Sequence, residues 1–325
     1  MGEVETDRRA FVLGALAVAL PGPAAAGVRR VGFISSSTTS LDSPLLVALR
    51  EGLRERGYEE GKNLAIDYRF AQSRDQLPAM AADLVARKVE LILAAGSEGI
   101  VAARAATASI PIVMTNSGDA VREGFVASLD RPGGNITGLT QISPELVGKR
   151  LEILQEVVPD LKVVGILWNP MHPNTPISFQ EATAATERLG LAPVSLELGD
   201  PGQIQPGLAK LAAAGARAFL VIRDPFTVRH RAIVVNALHR LRLVAIFETF
   251  DFFEAGGLMF YGADFADLFR RAAAYVDKIL KGARPADLPV EQPTKFVLGI
   301  NNRVAAQTGV AIPASLLARA DHVIE

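Results

Sequence analysis

The chain has 325 residues, of which 49% are hydrophobic, and this length and composition predict a globular protein with a large buried core divided between two domains. Its 34 lysine and arginine residues nearly balance 35 aspartate and glutamate residues, and no basic run occurs, which argues against nucleic-acid binding. The absence of cysteine excludes disulfides, thiolate metal sites and a lipidated N-terminal cysteine.

The first 26 residues have the pattern of an export signal. Arg8 and Arg9 precede Phe11, an apolar stretch GALAVALPGP follows, and the three alanines at 24–26 resemble a cleavage site. The apolar stretch is short and contains Pro and Gly, which disfavours the alternative of a membrane anchor. We predict a twin-arginine-like signal peptide over 1–26, cleaved after Ala26, and a free periplasmic protein that is not a lipoprotein. Export by the general route stays open.

From Val28 onwards, short β-branched apolar runs alternate with amphipathic stretches, which is typical of parallel βαβ units. The first half contains four such strands, VRRVGFIS, NLAIDYRFA, VELILAAG and PIVMTNSG, separated by three predicted helices. The turn-rich segment DRPGGNITGLTQIS follows and is predicted to lead out of this first lobe, with strands near residues 138–142 and 257–262 passing between the lobes.

A second series repeats the architecture. Its predicted strands are KVVGILWNP, APVSLELG, ARAFLVIRDP and LVAIFETF, followed by GLMFYGAD, a helix over DLFRRAAAYVDKILKG and a late strand TKFVLGIN. The predicted fold class is α/β, with two doubly wound parallel-sheet lobes joined by a multi-strand hinge. The predicted division is 27–139 plus 262–288 for the N-terminal lobe and 140–261 plus 289–325 for the C-terminal lobe.

Ligands of such sheets bind beyond the carboxyl ends of the strands, so the residues that follow each strand are the candidates for the binding site. In the first lobe, these residues are hydroxyls, amides and the start of a helix, which favour binding of a carboxylate. The candidates are Ser35, Ser36, Ser37, Gly96, Ser97, Glu98, Asn116 and Asp119.

In the second lobe, the strand ends carry carboxylates and aromatic rings. The candidates are Asn169, Asp224, Phe226, Glu248 and Tyr261. Asp224 and Glu248 are predicted to end neighbouring strands, and one or the other is predicted to accept from an ammonium group, while Ser36 and Ser97 donate to a carboxylate. An amino acid is the simplest solute with both groups, and the aromatic rings, with Trp168 and Phe250, suit an apolar side chain.

An enzymatic alternative stays open at Ser97. Residues 95–99 fit A-x-S-x-G, a variant of the nucleophile elbow of serine hydrolases, and Asp224 with His239 or His322 would complete a triad. Both histidines lie in unsuitable surroundings, a helical run and a charged tail. The first strand lacks G-x-G-x-x-G and the four histidines are scattered, so no cofactor and no metal are predicted.

The whole mature chain resembles solute-binding proteins of ABC transporters with the type I periplasmic fold, in the group that includes tryptophan- and tyrosine-binding members. The resemblance is carried by several stretches in order: ALREGLRERGYEEGKNLAIDYRFA, LAAGSEGIVAARAATASIPIVM, GDAVREGFVASLDRPGGNITGLT, GKRLEILQEVVPDLKVVGILWNP, EAGGLMFYGAD, YVDKILKGARPADLPVEQPTKFVLGIN and IPASLLARADHVIE.

The resemblance implies capture of a small solute between two lobes and its delivery to an inner-membrane permease, by a protein we expect to be a monomer. A ligand-sensing protein of the same fold is the remaining alternative. Two positions depart from the family pattern: GDAV replaces the common GDPV, and Ser97 is followed by Glu98 where the family often has Pro or a small residue. We therefore expect Glu98 to influence which ligand is accepted.

Overall fold

The computed structural model describes residues 27–35, 41–141, 145–172 and 175–325. The predicted signal peptide and two predicted site residues, Ser36 and Ser37, lie outside these residues.

The first sheet has five parallel strands in the order β2-β1-β3-β4-β5. The elements are β1 (Arg29–Ser35), α1 (Pro44–Arg54), β2 (Leu64–Phe70), α2 (Leu77–Ala86), β3 (Leu91–Ala95), α3 (Gly96–Ala106), β4 (Ile112–Ser117) and β5 (Ile136–Thr140). The apolar runs are buried because helices pack on both faces. All residues of β3, for example, are buried.

The second sheet has seven strands in the order β12-β11-β10-β9-β8-β6-β7. The elements are α4 (Glu145–Val157), β6 (Val163–Trp168), α5 (Thr175–Arg188), β7 (Ala192–Glu197), α6 (Ile204–Ala213), β8 (Ala218–Val221), α7 (Pro225–Arg229), α8 (Arg231–Arg240), β9 (Val244–Phe247), α9 (Phe250–Glu254), β10 (Met259–Ala263), α10 (Phe265–Leu280), β11 (Phe296–Asn301), α11 (Asn302–Thr308), α12 (Ala314–Leu317) and β12 (His322–Ile324). The β10–β11 pair is antiparallel and the other pairs are parallel.

Two α/β lobes with parallel sheets were predicted, and this fold class is confirmed. The strand predicted near residues 138–142 is β5, which forms the fifth strand of the first sheet. The structure adds two further details. The late strand β11 is antiparallel to β10, and the short strand β12 forms the edge of the second sheet.

The chain crosses between the sheets three times. It leaves β5 for α4, leaves β10 for α10, and returns to β11 through the segment around Glu291. The crossings lie side by side: Glu291 donates its backbone N–H to Gly138 and accepts from the Thr140 N–H, both at 3.0 Å, and Asp264 N–H donates to Lys295 at 3.0 Å. The lobes are thus joined by adjacent hydrogen-bonded segments.

Helix α10 follows a strand of the second sheet but packs on the first. Its apolar face, including Leu268, Phe269 and Val276, joins the core formed by Phe33 and Leu53. Within the described residues, no helix has the length and apolarity needed to cross a membrane.

Candidate functional site

In the first lobe, the carboxyl ends of β3 and β4 meet at the start of α3. Gly96 begins this helix with a φ of +76°, a left-handed conformation that glycine adopts without strain. The Gly96 N–H donates to Asn116 Oδ1 at 3.2 Å, and the Thr115 hydroxyl donates to the same oxygen at 3.0 Å. Asn116 therefore satisfies one of the free amides at the helix start.

Ser97, in the first turn of α3, faces a carboxylate that the sequence analysis missed. The Glu123 side chain lies beside the Ser97 hydroxyl, and Ser97 Oγ accepts from the Gly118 N–H at 3.4 Å. A Cβ atom at Gly118 would overlap Glu123 Oε1 and contact Ser97 Oγ. The glycine after β4 thus leaves the space in which Glu123 reaches the helix start.

Asp119 holds the turn that presents Glu123. Its Oδ1 accepts from the N–H groups of Val121 at 3.1 Å and Arg122 at 2.9 Å, and its carbonyl accepts from the Glu123 N–H at 2.8 Å. Burial raises the pKa of Glu123, the hydrogen bond from Ser97 lowers it, and the nearby charge of Asp119 raises it again. The net shift of the Glu123 pKa is upward. The predicted candidate Asp119 is therefore engaged in local structure beside the site.

In the second lobe, Asp224 caps α7. Its Oδ1 accepts from the Thr227 N–H at 2.8 Å, while Thr227 Oγ1 accepts from the Asp224 N–H at 2.9 Å, which forms a capping box. Its Oδ2 accepts from Asn169 Nδ2 at 2.7 Å. Asp224 is only 3% exposed, and both of its carboxylate oxygens have protein donors. Its role as an ammonium acceptor stays a prediction.

Glu248 follows β9, which neighbours β8 as predicted. It faces Arg150 of α4, whose Nη1 lies 3.5 Å from Glu248 Oε1 and whose Nε donates to the Tyr261 carbonyl at 2.9 Å. Arg150 is buried, so desolvation lowers its pKa although Glu248 favours the charged form. Glu248 therefore already has a cationic partner, which the sequence analysis did not identify.

The strand ends of the second lobe also contain donors without acceptors. Arg223 follows β8, and its Nη2 lies 3.5 Å from Asp251 Oδ2. The Arg223 Nε and the Thr249 hydroxyl are buried, and neither has a hydrogen-bond partner in the part of the chain that the structure describes. Arg223 lies just beyond β8 and Thr249 just beyond the neighbouring strand β9. Both supply hydrogen-bond donors at the strand ends of the second lobe.

The aromatic candidates are divided among different surroundings. Trp168 stacks on Phe179 with ring centroids 4.6 Å apart and donates to Ser195 Oγ at 2.8 Å, as a core residue does. Phe226 packs against His230. Tyr261 lines a cavity of about 530 Å³. The other lining residues are Leu146, Gly148, Lys149, Glu152, Gln292, Pro293 and Phe296, none of which was predicted for the site.

The remaining candidates are Ser35 and Glu98. Ser35 is 3% exposed and pairs in register with Ala95 of β3. Glu98 lies in the first turn of α3 and is partly exposed. Among the described residues, no group of histidine and acidic side chains could hold a metal ion.

The serine-hydrolase alternative gains no support from the surroundings of Ser97. His239 lies on α8 near Gly256, and burial lowers its pKa. His322 begins β12 beside Phe250. Within the described chain, the contacts of the Ser97 hydroxyl are with Glu123 and Gly118 rather than with a histidine.

The two lobes also contact each other through an ion pair. Arg122, in the turn after β4, donates from Nη2 to Glu181 Oε1 of α5 at 2.6 Å, and its Nε lies 3.5 Å from Asp119 Oδ2. This contact connects the strand-end turn of the first lobe to a helix of the second.

The protein has two α/β lobes joined by three crossings, and polar residues follow the strands in both lobes. This is the architecture of two-lobed solute-binding proteins. Comparison with known proteins specifies the family. The sequence model of the ABC transporter substrate binding protein family matches residues 39–324, and the chain belongs to this family. It is a solute-binding protein of an ABC transporter.

Several relatives support this assignment. A tyrosine-binding protein of Clostridioides difficile (strain R20291) is 26% identical over 241 residues, 74% of this chain and 69% of the relative. A conserved domain protein from Vibrio cholerae is 27% identical with a TM-score of 0.79, covering 91% of this chain and 99% of that structure. An ABC domain from Streptococcus pneumonia in complex with L-Trp shares the fold, with a TM-score of 0.80 at 24% identity over 91% of this chain and 99% of its own.

Proposed function

We propose that this protein is exported to the periplasm, binds an amino acid with an aromatic or apolar side chain, or a related aromatic acid, between its lobes, and delivers it to an inner-membrane permease. The observation that carries the proposal is the pair of polar walls: Ser97, Asn116 and Glu123 in the first lobe, and Arg223 and Glu248 in the second. The relatives named for tyrosine binding and bound to L-Trp support the solute class.

The two lobes are proposed to close around the solute. The N-terminal lobe comprises 27–139 and 262–288, the C-terminal lobe comprises 140–261 and 289–325, and the signal peptide is removed after Ala26. Closure about the three crossings brings both walls onto the solute, which shifts the population from open to closed. The protein acts as a monomer without a cofactor and leaves its ligand chemically unchanged.

A thermal-shift screen of the mature protein tests this function. A ligand that binds only the folded state raises the melting temperature, by an amount that grows with its concentration relative to Kd. We expect L-tryptophan, L-tyrosine or another apolar amino acid to raise it, and sugars to leave it unchanged. A screen in which sugars stabilise the protein and amino acids do not would contradict the proposed solute class.

A further inference from the structure

We propose that Glu123 determines which solutes the cleft accepts: its carboxylate binds an ammonium or other donor group of the solute on the first lobe, while the solute's carboxylate binds beside Arg223 on the second. This inference rests on the proposed function and deepens it. It reverses the orientation predicted from the sequence, in which Ser97 donated to the carboxylate.

The start of α3 is already occupied by an anion. The free N–H groups of a helix start attract negative charge, which is why a carboxylate was expected here. In the structure, Asn116 Oδ1 accepts from Gly96 N–H, and the Glu123 carboxylate lies beside the Ser97 hydroxyl next to Gly118. A second carboxylate at the same position would meet the like charge of Glu123 in a partly buried space.

Glu123 has acceptor capacity left and, among the described residues, no cation paired with it. An ionised carboxylate offers about four lone-pair positions. The Ser97 hydroxyl and the backbone of Asp119 are the donor groups that lower the pKa of Glu123, and they do not fill these positions. Within the described chain, no lysine or arginine forms an ion pair with it, because the neighbouring Arg122 pairs with Asp119 and Glu181. A cationic group of a solute would complete its surroundings.

A third observation points to the same chemistry. Gln141, which follows β5, donates its backbone N–H to the Ser117 carbonyl at 2.9 Å and so lies next to the strand end that leads into Gly118. Its side-chain Oε1 is buried and has no hydrogen-bond donor among the described residues. A buried acceptor without a donor is costly, so a donor group that reaches Gln141 Oε1 would stabilise this end of the first lobe. An ammonium group supplies three donors.

The second lobe instead has buried donors that lack acceptors among the described residues. The Arg223 Nε and the Thr249 hydroxyl are buried at neighbouring strand ends and have no acceptor within the described residues. A solute carboxylate would provide acceptors for both and would receive a charge-assisted hydrogen bond from the guanidinium. The two walls therefore match a zwitterion whose ammonium faces the first lobe and whose carboxylate faces the second.

The consequence is a specificity rule that can be measured. Amino acids bind best, amines without a carboxylate retain the contact with Glu123, and acids without an amine lose it. Calorimetry should use L-tryptophan, tryptamine and indole-3-propionate, with L-tyrosine, tyramine and 3-(4-hydroxyphenyl)propionate as a second set. Within each set the aromatic ring is the same, so comparison with the amino acid measures the effect of removing either the carboxylate or the amine.

The decisive variant is Glu123→Gln, which keeps the size of the side chain and removes its charge. We expect it to bind the amino acid and the amine about 30-fold or more weakly, as for loss of one partner of a buried charge pair, while affinity for the acid is unchanged or higher. Arg223→Gln should weaken the acid more than the amine. Glu123→Asp, which keeps the charge and shortens its reach, should weaken the amino acid less than Glu123→Gln.

A matched control is Glu59→Gln, which removes the same charge from the same lobe at an exposed pair with Lys62. It should bind all probes as the unchanged protein does. If Glu123→Gln binds the amino acid normally, or loses the acid instead of the amine, the inference is overturned while the proposed function stands. If no probe binds to the unchanged protein, the proposed solute class fails first, and the inference with it.

Discussion

At the scale of single residues, Glu123 is expected to reduce the stability of the ligand-free protein. Burial is the main cause of its raised pKa, so the folded state holds the proton more tightly than the unfolded chain does. Stability therefore falls as pH rises from the unfolded pKa, about 4.3, through the folded pKa, and stays lower above it. Replacement by glutamine removes this penalty.

We therefore expect Glu123→Gln to melt at a higher temperature than the unchanged protein at pH 7 without ligand. The difference should shrink as pH falls below the unfolded pKa, where both side chains are uncharged. Thermal unfolding at several pH values measures it. A variant that melts lower at pH 7 would show instead that Glu123 has a structural role only.

Asp224 is expected to contribute to stability, because it caps α7 and accepts from Asn169 inside the core. Asp224→Ala should lower the free energy of unfolding by about 1–3 kcal/mol, through loss of the cap and of the partner of a buried amide. The matched control is Asp200→Ala, since Asp200 caps an exposed turn by accepting from Gly202 N–H. Urea unfolding compares the two, and equal effects would contradict this account.

At this scale, the sequence located the polar side chains at the strand ends but did not identify the groups that surround them. The D-P-F-T segment from Asp224 to Thr227 contains the spacing of a capping box, so its structural role could have been recognised. Glu123 could not be found by examining strand ends alone. It lies six residues after β4, and only the turn closed by Asp119 and the missing side chain of Gly118 bring it back to Ser97.

At the scale of elements, the alternation of apolar runs and amphipathic stretches was sufficient to predict the two parallel sheets, because it reports burial directly. A strand was predicted near residues 138–142, and it corresponds to β5, whose five buried residues follow the turn-forming sequence RPGGN. Gly138 in this strand has a φ of +130°, and a Cβ there would overlap the Met114 backbone. The pattern failed for β12, because a three-residue, mostly exposed edge strand has no periodic pattern.

The contact between α1 and α10 is an element-scale prediction. A Cβ at Gly52 of α1 would overlap the Arg270 carbonyl of α10, so Gly52→Ala forces the helices apart. We expect a loss of about 1–3 kcal/mol in the free energy of unfolding. Gly148→Ala in α4 is the matched control, because a Cβ there meets nothing within 4 Å and should be neutral or stabilising. Equal stability of both variants would argue against close helix packing at Gly52.

At the scale of the whole molecule, the ion pair between Arg122 and Glu181 is expected to favour the closed arrangement of the two lobes. Because the pair is partly exposed, its contribution is limited to about 0.2–1 kcal/mol and falls as salt screens it. Glu181→Gln should speed dissociation of the amino acid by up to about fivefold at low salt, with little change at high salt. Stopped-flow measurement tests this, with Glu187→Gln, another exposed glutamate of α5, as control. Equal dissociation rates in both variants would contradict the contribution to closure.

The central claim is that a zwitterionic solute binds between the lobes with its ammonium on the first and its carboxylate on the second. A crystal structure of the mature protein with L-tryptophan or L-tyrosine, whichever binds more tightly, tests it most directly. The account predicts the solute in the cleft, with its nitrogen about 3 Å from Glu123 and its carboxylate beside Arg223. A carboxylate bound to Ser97 at the start of α3, or a solute bound outside the cleft, would contradict it.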